Sequence, residues 1–258
     1  MKLTIVDGNN FFRRRLEGTG FGSPVRNCFY ELQNKQGMVI CVWDGFGALK
    51  KRRAVYPEYK MGRKPAGESI YESQDLFKKL LELSKVYQIQ VPEFEGDDVI
   101  AALVELYKPN FESVYIETND LDMYQLGMPM SRDRFPEQPK WIRLYKAMVG
   151  DNSDNIGGCK GFGEKSWQKL TEDQKEVIEH ILVCGWGYGP DQIGNMVGEF
   201  FPKGSLEWFK IKENRQLLSK FYRIVGFEEV PKQLIDQYLK PGINAPHLAE
   251  PIFAEFML

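Results

Sequence analysis

The chain has 258 residues, 43% of them hydrophobic, and a formal net charge of −2. This composition predicts one large or two small domains and argues against general disorder. No apolar run reaches the roughly 18 to 20 residues that span a bilayer, so no membrane partner is expected. Four widely spaced cysteines favour free thiols in a reducing cytoplasm, and the two histidines exclude a histidine-rich metal site. Any metal would therefore be held by oxygen.

Two predicted strands open the chain, and each ends in an aspartate followed by glycine. LTIVD, residues 3 to 7, ends in Asp7, and MVICVWDG, residues 38 to 45, contains Asp44. A helix is predicted between them over residues 24 to 36. In parallel α/β sheets, sites form at the carboxyl ends of the strands, although an isolated aspartate there can simply be a turn residue.

A strongly basic segment follows Asp44. Residues 46 to 64 hold seven Lys or Arg against Glu58 alone, so the segment carries +6 and the remaining chain −8. Such a run is usually a solvated helix or loop, but beside an acidic remainder it suits a protein that grips phosphate. Tyr56 and Tyr59 interleave with the cations, and aromatic rings of this kind can stack on bases.

A helix is predicted over residues 70 to 87, and the strand QIQVPEF follows it. The strand leads into FEGDDVIAALVEL, in which Glu95, Asp97 and Asp98 precede a helix. Three carboxylates in four residues are tolerated when cations neutralise them or when they are solvated, and Asp97 or Asp98 can also cap the helix.

The next strand, residues 113 to 120, also has an acidic end. Asp120 and Asp122 are two residues apart and would point to the same side of an extended chain. Asp151 and Asp154 are three apart, which predicts that they share one helical turn. The glycines from 157 to 163 permit tight turns that face a phosphate. Beyond about residue 171 the pattern predicts helices near 172–184, 190–201 and 205–225, and a surface-wrapping tail from Val230.

Nine carboxylates therefore lie at predicted element ends. They are Asp7, Asp44, Glu95, Asp97, Asp98, Asp120, Asp122, Asp151 and Asp154. Hard oxygen ligands in this number suit Mg²⁺ or Mn²⁺, and two such ions about 4 Å apart can hold a scissile phosphate.

With these pieces in place, the sequence resembles a flap endonuclease or 5′→3′ exonuclease of the compact bacteriophage type, similar also to the 5′-nuclease domain of bacterial DNA polymerase I. The matching pieces are VDGNN, VWDG, Arg52 with YPEYKMGR, FEGDDVIA, ETNDLDMYQL and GDNSDNIGGCKGFGEKS. They run in family order from residue 3 to about 170. Single pieces recur by chance, but six in order are highly specific.

The resemblance implies a metal-dependent phosphodiesterase acting on DNA with a 5′ end, a flap or a branch, in replication or repair. The nine acids match the family's metal site, with Asp98 either a ligand, a second-sphere group or a cap. Lys60 and Arg63 match basic residues that contact the scissile phosphate, and Arg52 matches an upstream arginine. Tyr59 is a candidate stacking platform. The resemblance also implies a helix–three-turn–helix element that holds duplex DNA, often with K⁺. The DNA-binding residues expected there are Gly158, Gly161, Gly163, Lys165 and Ser166, and Lys64 is a further DNA-binding residue.

The predicted fold is α/β: a central, mostly parallel sheet flanked by helices, a PIN-like 5′-nuclease core with a short helical arch and a helical C-terminal region. The predicted division is a core over 1–145, with the arch at about 46–87, and a DNA-binding region over 146–258 packed with it as one unit. Only 34 residues separate Lys60 from Glu95, so threading of a single strand through the arch and clamping by it both remain open.

A monomer in the cytoplasm is expected, the host's if the chain is phage-encoded, with a replication polymerase or single-strand-binding protein as a partner in trans. Two other functions remain: a non-catalytic DNA-structure-binding protein on the same fold, and an RNA-cleaving PIN-type ribonuclease.

Overall fold

A computed structural model describes residues 1–17, 24–64, 67–131 and 137–255. Four strands lie in these ranges: β1 (Lys2–Asp7), β2 (Met38–Trp43), β3 (Tyr87–Gln90) and β4 (Ser113–Glu117). The helices of the first half are α1 (Gly8–Glu17), α2 (Pro24–Asn34), α3 (Lys50–Val55), α4 (Glu68–Leu81) and α5 (Gly96–Tyr107). Those of the second half are α6 (Ile142–Val149), α7 (Glu164–Trp167), α8 (Glu172–Cys184), α9 (Pro190–Val197), α10 (Lys203–Lys210), α11 (Lys212–Val225), α12 (Lys232–Tyr238) and α13 (Glu250–Glu255). None of the described helices is long and apolar enough to cross a membrane.

The chain divides into two compact units. The first contains Met1–Leu49, Lys64–Arg134 and Glu228–Leu258, and the second contains Lys50–Arg63 and Phe135–Phe227. These boundaries differ from the predicted division at residue 145. The C-terminal tail joins the first unit because Phe253 packs on Phe29, with ring centroids 5.5 Å apart. The basic segment joins the second because Arg52 is anchored there. Packing of both units as one stays a prediction.

The first unit is built on a four-stranded parallel sheet in the order β3-β2-β1-β4. Apolar runs form β1 and β2 because strands covered on both faces exclude polar side chains. On one face of the sheet, a hydrophobic core is formed with α1, α2, α4 and the tail. It contains the rings of Phe12 and Phe77, whose centroids are 4.9 Å apart. Helix α5 packs on the sheet through Val99 and Leu103, both fully buried. This confirms the predicted α/β class with a parallel sheet.

The second unit is helical, and its buried rings include Phe162, Trp167, Phe209 and Phe221. One long helix is predicted over 205–225, but two are found, because Ile211 adopts an extended backbone with ψ 125°. Arg215 stabilises this break by donating to the carbonyls of Phe209 and Lys210.

Three other features differ from the sequence predictions. Helix α4 ends at Leu81, where the buried Ser84 hydroxyl donates to the Leu81 carbonyl. Asp151 and Asp154 do not share a helical turn. Asp151 begins a tight turn that is closed by paired hydrogen bonds of 2.8 Å between Asp151 and Ile156, and Asp154 lies within this turn. The tail does not simply wrap the surface, since Ala249 and Phe253 are buried in the core of the first unit.

Candidate metal centre and nucleic-acid interface

Three neighbouring strands of the first unit end at one edge of the sheet. Asp7 ends β1 beside Val42 of β2, and Glu117 ends β4 beside Val6 of β1. Asp44 follows β2 directly, and Asp120 lies three residues beyond β4. Parallel register therefore brings acids that are distant in sequence to a common edge, as the strand-end pattern predicts.

Asp97, Asp120 and Asp122 form the group best placed to hold a cation. Each offers a carboxylate oxygen, and these oxygens all lie within 4.8 Å of one another. Asp97 is in the first turn of α5, whereas Asp120 caps the 3₁₀ helix Leu121–Leu126 and accepts from the Asp122 amide at 2.9 Å. Three hard oxygen donors at this spacing fit a small divalent cation.

Asp7 lies beside this group and shows the electrostatic cost of assembling it. Its pKa is raised from 3.8 to about 7, because burial and the nearby carboxylates of Asp44 and Asp120 together outweigh the hydrogen bonds that lower it. Its carboxylate accepts from the Asn10 amide at 3.0 Å and from the Thr118 hydroxyl at 2.9 Å. Without a cation the edge is electrostatically strained, because like charges close together disfavour ionisation. The donor set therefore fits a divalent metal.

Asp44 and Glu95 are fixed near the start of α5. The Gly96 amide donates to Asp44 Oδ1 at 2.7 Å, which places this carboxylate at the positive end of the helix. Glu95 is the N-cap residue of α5 and is buried. Both positions agree with a role at the acidic edge, which stays a prediction.

Asp98 is a helix cap. Its Oδ2 accepts from the Glu95 amide at 3.2 Å and its Oδ1 from the Glu228 amide at 2.8 Å, and the residue is 1% exposed. Backbone amides thus engage both oxygens, which supports the capping alternative, and a role of Asp98 as a metal ligand stays a prediction.

The two acids of the second unit are engaged by cations of the chain. The Lys146 ammonium lies 2.8 Å from Asp151 Oδ2. Although burial raises the pKa of Asp151, this ammonium and the donors of Ser153 lower it below its ordinary value. Asp154 is buried and accepts from Arg63 at 2.6 Å and from the Tyr59 hydroxyl at 3.3 Å. A metal role for Asp151 and Asp154 stays a prediction.

Lys60 and Arg63 are positioned by the same turn. The Lys60 amide donates to the Asp154 carbonyl at 3.1 Å, and Lys60 has a left-handed backbone with φ +55°. Its ammonium lies 4.8 Å from the Tyr59 ring centroid. Arg63 also donates to the Ser153 carbonyl at 3.0 Å, yet about half of its side chain is exposed. The exposure of Arg63 suits contact with phosphate, whereas Lys60 is buried.

Two residues of the basic segment, Arg52 and Tyr59, are buried. Arg52 is 3% exposed and donates to the carbonyls of Ile224 at 2.8 Å and Gly226 at 2.9 Å, so it anchors α3 to the end of α11. A catalytic role for Arg52 stays a prediction. Tyr59 is also 3% exposed, and its role as a stacking platform stays a prediction. Lys64 is exposed, and residues 65 and 66 of the predicted arch lie outside the described residues.

The glycine-rich segment forms an open loop before α7. Gly158 and Gly161 have φ of +67° and +78°, which only glycine adopts without strain. Gly161, Gly163 and Lys165 are exposed, and Ser166 is half-buried at the start of α7. The loop thus presents backbone and an ammonium group to solvent, as contact with a DNA backbone requires.

Sequence reasoning missed the residues that hold the acids in place. The Thr118 hydroxyl donates to Asp7 and accepts from the Asp120 amide at 3.1 Å, and the Asn10 side chain accepts from the Asn119 amide at 3.1 Å. Ser153 donates from its amide and hydroxyl to Asp151. The available signal was Thr, Asn or Ser beside an aspartate in a turn, where such side chains bond the local backbone.

Comparison with known proteins identifies the family. Residues 2–131 match the model of the 5′-3′ exonuclease N-terminal resolvase-like domain. The chain belongs to this family. The thermostable DNA polymerase I of Thermus thermophilus is 32% identical over 210 residues, which cover 70% of this chain and 25% of the polymerase. The chain thus spans about a quarter of the length of such polymerase relatives.

A shorter relative and a solved structure extend the likeness. The 5′-3′ exonuclease of Aquifex aeolicus is 28% identical over 208 residues, covering 70% of this chain and 72% of that protein. The flap endonuclease of bacteriophage T5, solved as a pseudo-enzyme–product complex with DNA and metal ions, has a TM-score of 0.61 at 18% identity, covering 92% of both chains. This structural likeness shows that the two share a fold.

Proposed function

We propose that this protein is a metal-dependent 5′ nuclease that hydrolyses DNA phosphodiesters at 5′ ends or 5′ flaps during replication or repair. The observation that carries the proposal is the convergence of Asp97, Asp120 and Asp122 within 4.8 Å. Family membership gives this acidic edge its chemical context. The substrate is DNA with a 5′ end, a flap or a branch.

The acidic edge would hold Mg²⁺ or Mn²⁺, and two ions are proposed. Asp97, Asp120 and Asp122 are the ligands supported by distance, and Asp7, Asp44 and Glu95 join them from the same unit. Asp151 and Asp154 are kept as candidate ligands of a second ion. The bound cations would supply positive charge at the scissile phosphate.

The chain's own cations act on the phosphate. Arg63, with about half of its side chain exposed and its guanidinium held by Asp154, is placed to bind a phosphate oxygen. Lys60 lies in the same turn with its ammonium against the Tyr59 ring. Positive charge held in place before the reaction stabilises the extra negative charge of a pentacovalent phosphate. In this proposal both residues are catalytic.

Duplex DNA would be gripped by the second unit. The loop of Gly158, Gly161 and Gly163 offers backbone groups, and Lys165 and Ser166 add side-chain donors. Lys64 contributes a further phosphate contact, and a K⁺ ion at this loop is part of the proposal. The protein is proposed to act as a cytoplasmic monomer with a replication polymerase or single-strand-binding protein in trans.

Cleavage assays with defined substrates test the proposal. Wild-type protein and Asp120→Asn/Asp122→Asn are incubated with labelled 5′-flap DNA, blunt duplex DNA and single-stranded RNA, with Mg²⁺. The double variant should lose turnover while its thermal unfolding is preserved. Binding of flap DNA without cleavage would instead favour a non-catalytic DNA-structure-binding protein, and preferential cleavage of RNA would favour a PIN-type ribonuclease.

A further inference from the structure

Phe46 is an exposed aromatic residue at the acidic edge. Its side chain is 90% exposed, although the residue follows Asp44 by only two positions. Two peptide units span at most about 7.6 Å between Cα atoms, so the ring is anchored close to the acids. An aromatic ring that contributes nothing to the core can bind a ligand at this position.

The backbone of Phe46 is fixed. The Gly45 amide donates to the Phe94 carbonyl and the Glu93 amide donates to the Phe46 carbonyl, both at 2.9 Å. A Cβ on Gly45 would lie 1.8 Å from the Val91 carbonyl oxygen, so no other residue fits there. The ring is therefore presented from a rigid loop, and little loop entropy is lost when it binds.

A groove begins at Phe46 and runs beside β3, the edge strand of the sheet. Its volume is about 730 Å³, which is in the range of small-molecule sites. Trp43 and Tyr238 line it together with Lys78, Lys240 and a single acid, Glu82. Lys78 also lies 3.8 Å from the exposed Asp75, which is outside this lining, and an exposed pair of this kind is weak. The two ammonium groups and one carboxylate of the lining therefore favour a ligand that carries negative charge.

We infer that Phe46 and this groove bind a nucleotide of an unpaired DNA strand, with the base stacked on the Phe46 ring and the phosphates towards Lys78 and Lys240. This inference rests on the proposed function, because an unpaired strand is offered to the groove only if the substrate is DNA with a 5′ end, a flap or a branch. A ring beside cations is the arrangement with which proteins hold single strands without reading their sequence. A peptide partner is disfavoured because the groove is not purely apolar.

Fluorescence of 2-aminopurine tests the stacking. This base replaces single positions of the unpaired strand of a 5′-flap DNA, and binding is followed in EDTA so that cleavage does not contribute. Wild-type protein should quench one or two adjacent positions, and Phe46→Trp should preserve the quenching. Phe46→Ala should abolish it and weaken binding about 5- to 100-fold.

Two sets of variants complete the design. Leu248→Ala removes another exposed apolar side chain of the first unit, 48% exposed, and should leave quenching and affinity unchanged. Lys78→Ala and Lys240→Ala should each weaken binding and reduce its dependence on salt. Thermal unfolding of Phe46→Ala should match wild type, since the ring is almost fully exposed.

The outcomes separate this inference from the proposed nuclease activity. Wild-type protein that cleaves flap DNA while Phe46→Ala binds and quenches as before would overturn the inference and leave the ring as a protein-contact surface. Quenching that depends on Phe46 in a protein that never cleaves would support the inference and overturn the proposed hydrolysis.

Discussion

Arg63 and Asp154 form a salt bridge in which Nη2 lies 2.6 Å from Oδ1. Arg63 is the proposed phosphate contact, and Asp154 is a candidate metal ligand. In the ion pair, each residue neutralises the charge with which the other would bind its own ligand. Asp154 also accepts from Tyr59, and it is 4% exposed. Asp154 therefore holds the end of the basic segment in place, in addition to its proposed role as a metal ligand.

The Arg63–Asp154 pair should be energetically coupled. Asp154→Asn is expected to lower the free energy of unfolding by about 1–3 kcal/mol, because the buried Tyr59 hydroxyl and the half-exposed Arg63 guanidinium lose a charged acceptor. Urea denaturation of Asp154→Asn, Arg63→Ala and the double variant measures the coupling. The exposed pair of Lys210 and Glu207 supplies the control, since Glu207→Gln should change stability by less than about 0.5 kcal/mol. Strict additivity of the two variants would contradict the coupling.

Arg52→Ala should destabilise the protein strongly. The substitution leaves the carbonyls of Ile224 and Gly226 without this donor, so we expect a loss of about 2–4 kcal/mol in chemical denaturation. Arg223→Ala, which removes an exposed arginine of α11, is the matched control and should lie near wild type. For the fraction of Arg52→Ala that is folded, kcat per folded molecule should be close to that of the wild-type protein. A large loss of kcat with unchanged stability would instead support the predicted catalytic role of Arg52.

Asp98 and Asp120 should separate stability from metal binding. Asp98→Ala removes the acceptor of two backbone amides, so unfolding should become easier by about 1–3 kcal/mol while calorimetric Mn²⁺ affinity persists. Asp120→Asn should weaken Mn²⁺ binding at least 10-fold and leave the protein folded. The reverse pattern in the two variants would show that the capping assignment is wrong.

Metal-free protein should lose stability as pH rises through 7. The pKa of Asp7 is raised from 3.8 to about 7, so the folded state binds a proton that the unfolded state has released. The cost is absent below about pH 4 and is complete above pH 7, on the order of 2–4 kcal/mol. Denaturation in EDTA from pH 5 to 8 should show this decline, and Asp7→Asn should remove it. A free energy of unfolding that rises from pH 5 to 8 in the wild-type protein, but not in Asp7→Asn, would contradict the predicted direction.

The parallel sheet and the family were predictable from the sequence. Apolar runs ending in Asp7 and Asp44 imply parallel strands with a common acidic edge, and the fold confirms that class. The burial of Arg52 and Tyr59 was not predictable, because it depends on carbonyls at the end of α11 and on Asp154, far away in sequence. The break at Ile211 likewise depends on Arg215 bonding carbonyls, which no periodicity shows. Which acids hold which ion stays a prediction.

Product mapping on a 5′-flap DNA with Mg²⁺ tests the central claim most directly. The flap strand is labelled at its 3′ end and compared with a blunt duplex, for wild type and for Asp120→Asn/Asp122→Asn. The account predicts wild-type cleavage near the junction or stepwise from the 5′ end, 5′-phosphorylated products, and no turnover by the double variant. Undiminished cleavage by that variant, or no cleavage of either DNA by wild type with Mg²⁺ or Mn²⁺, would contradict it.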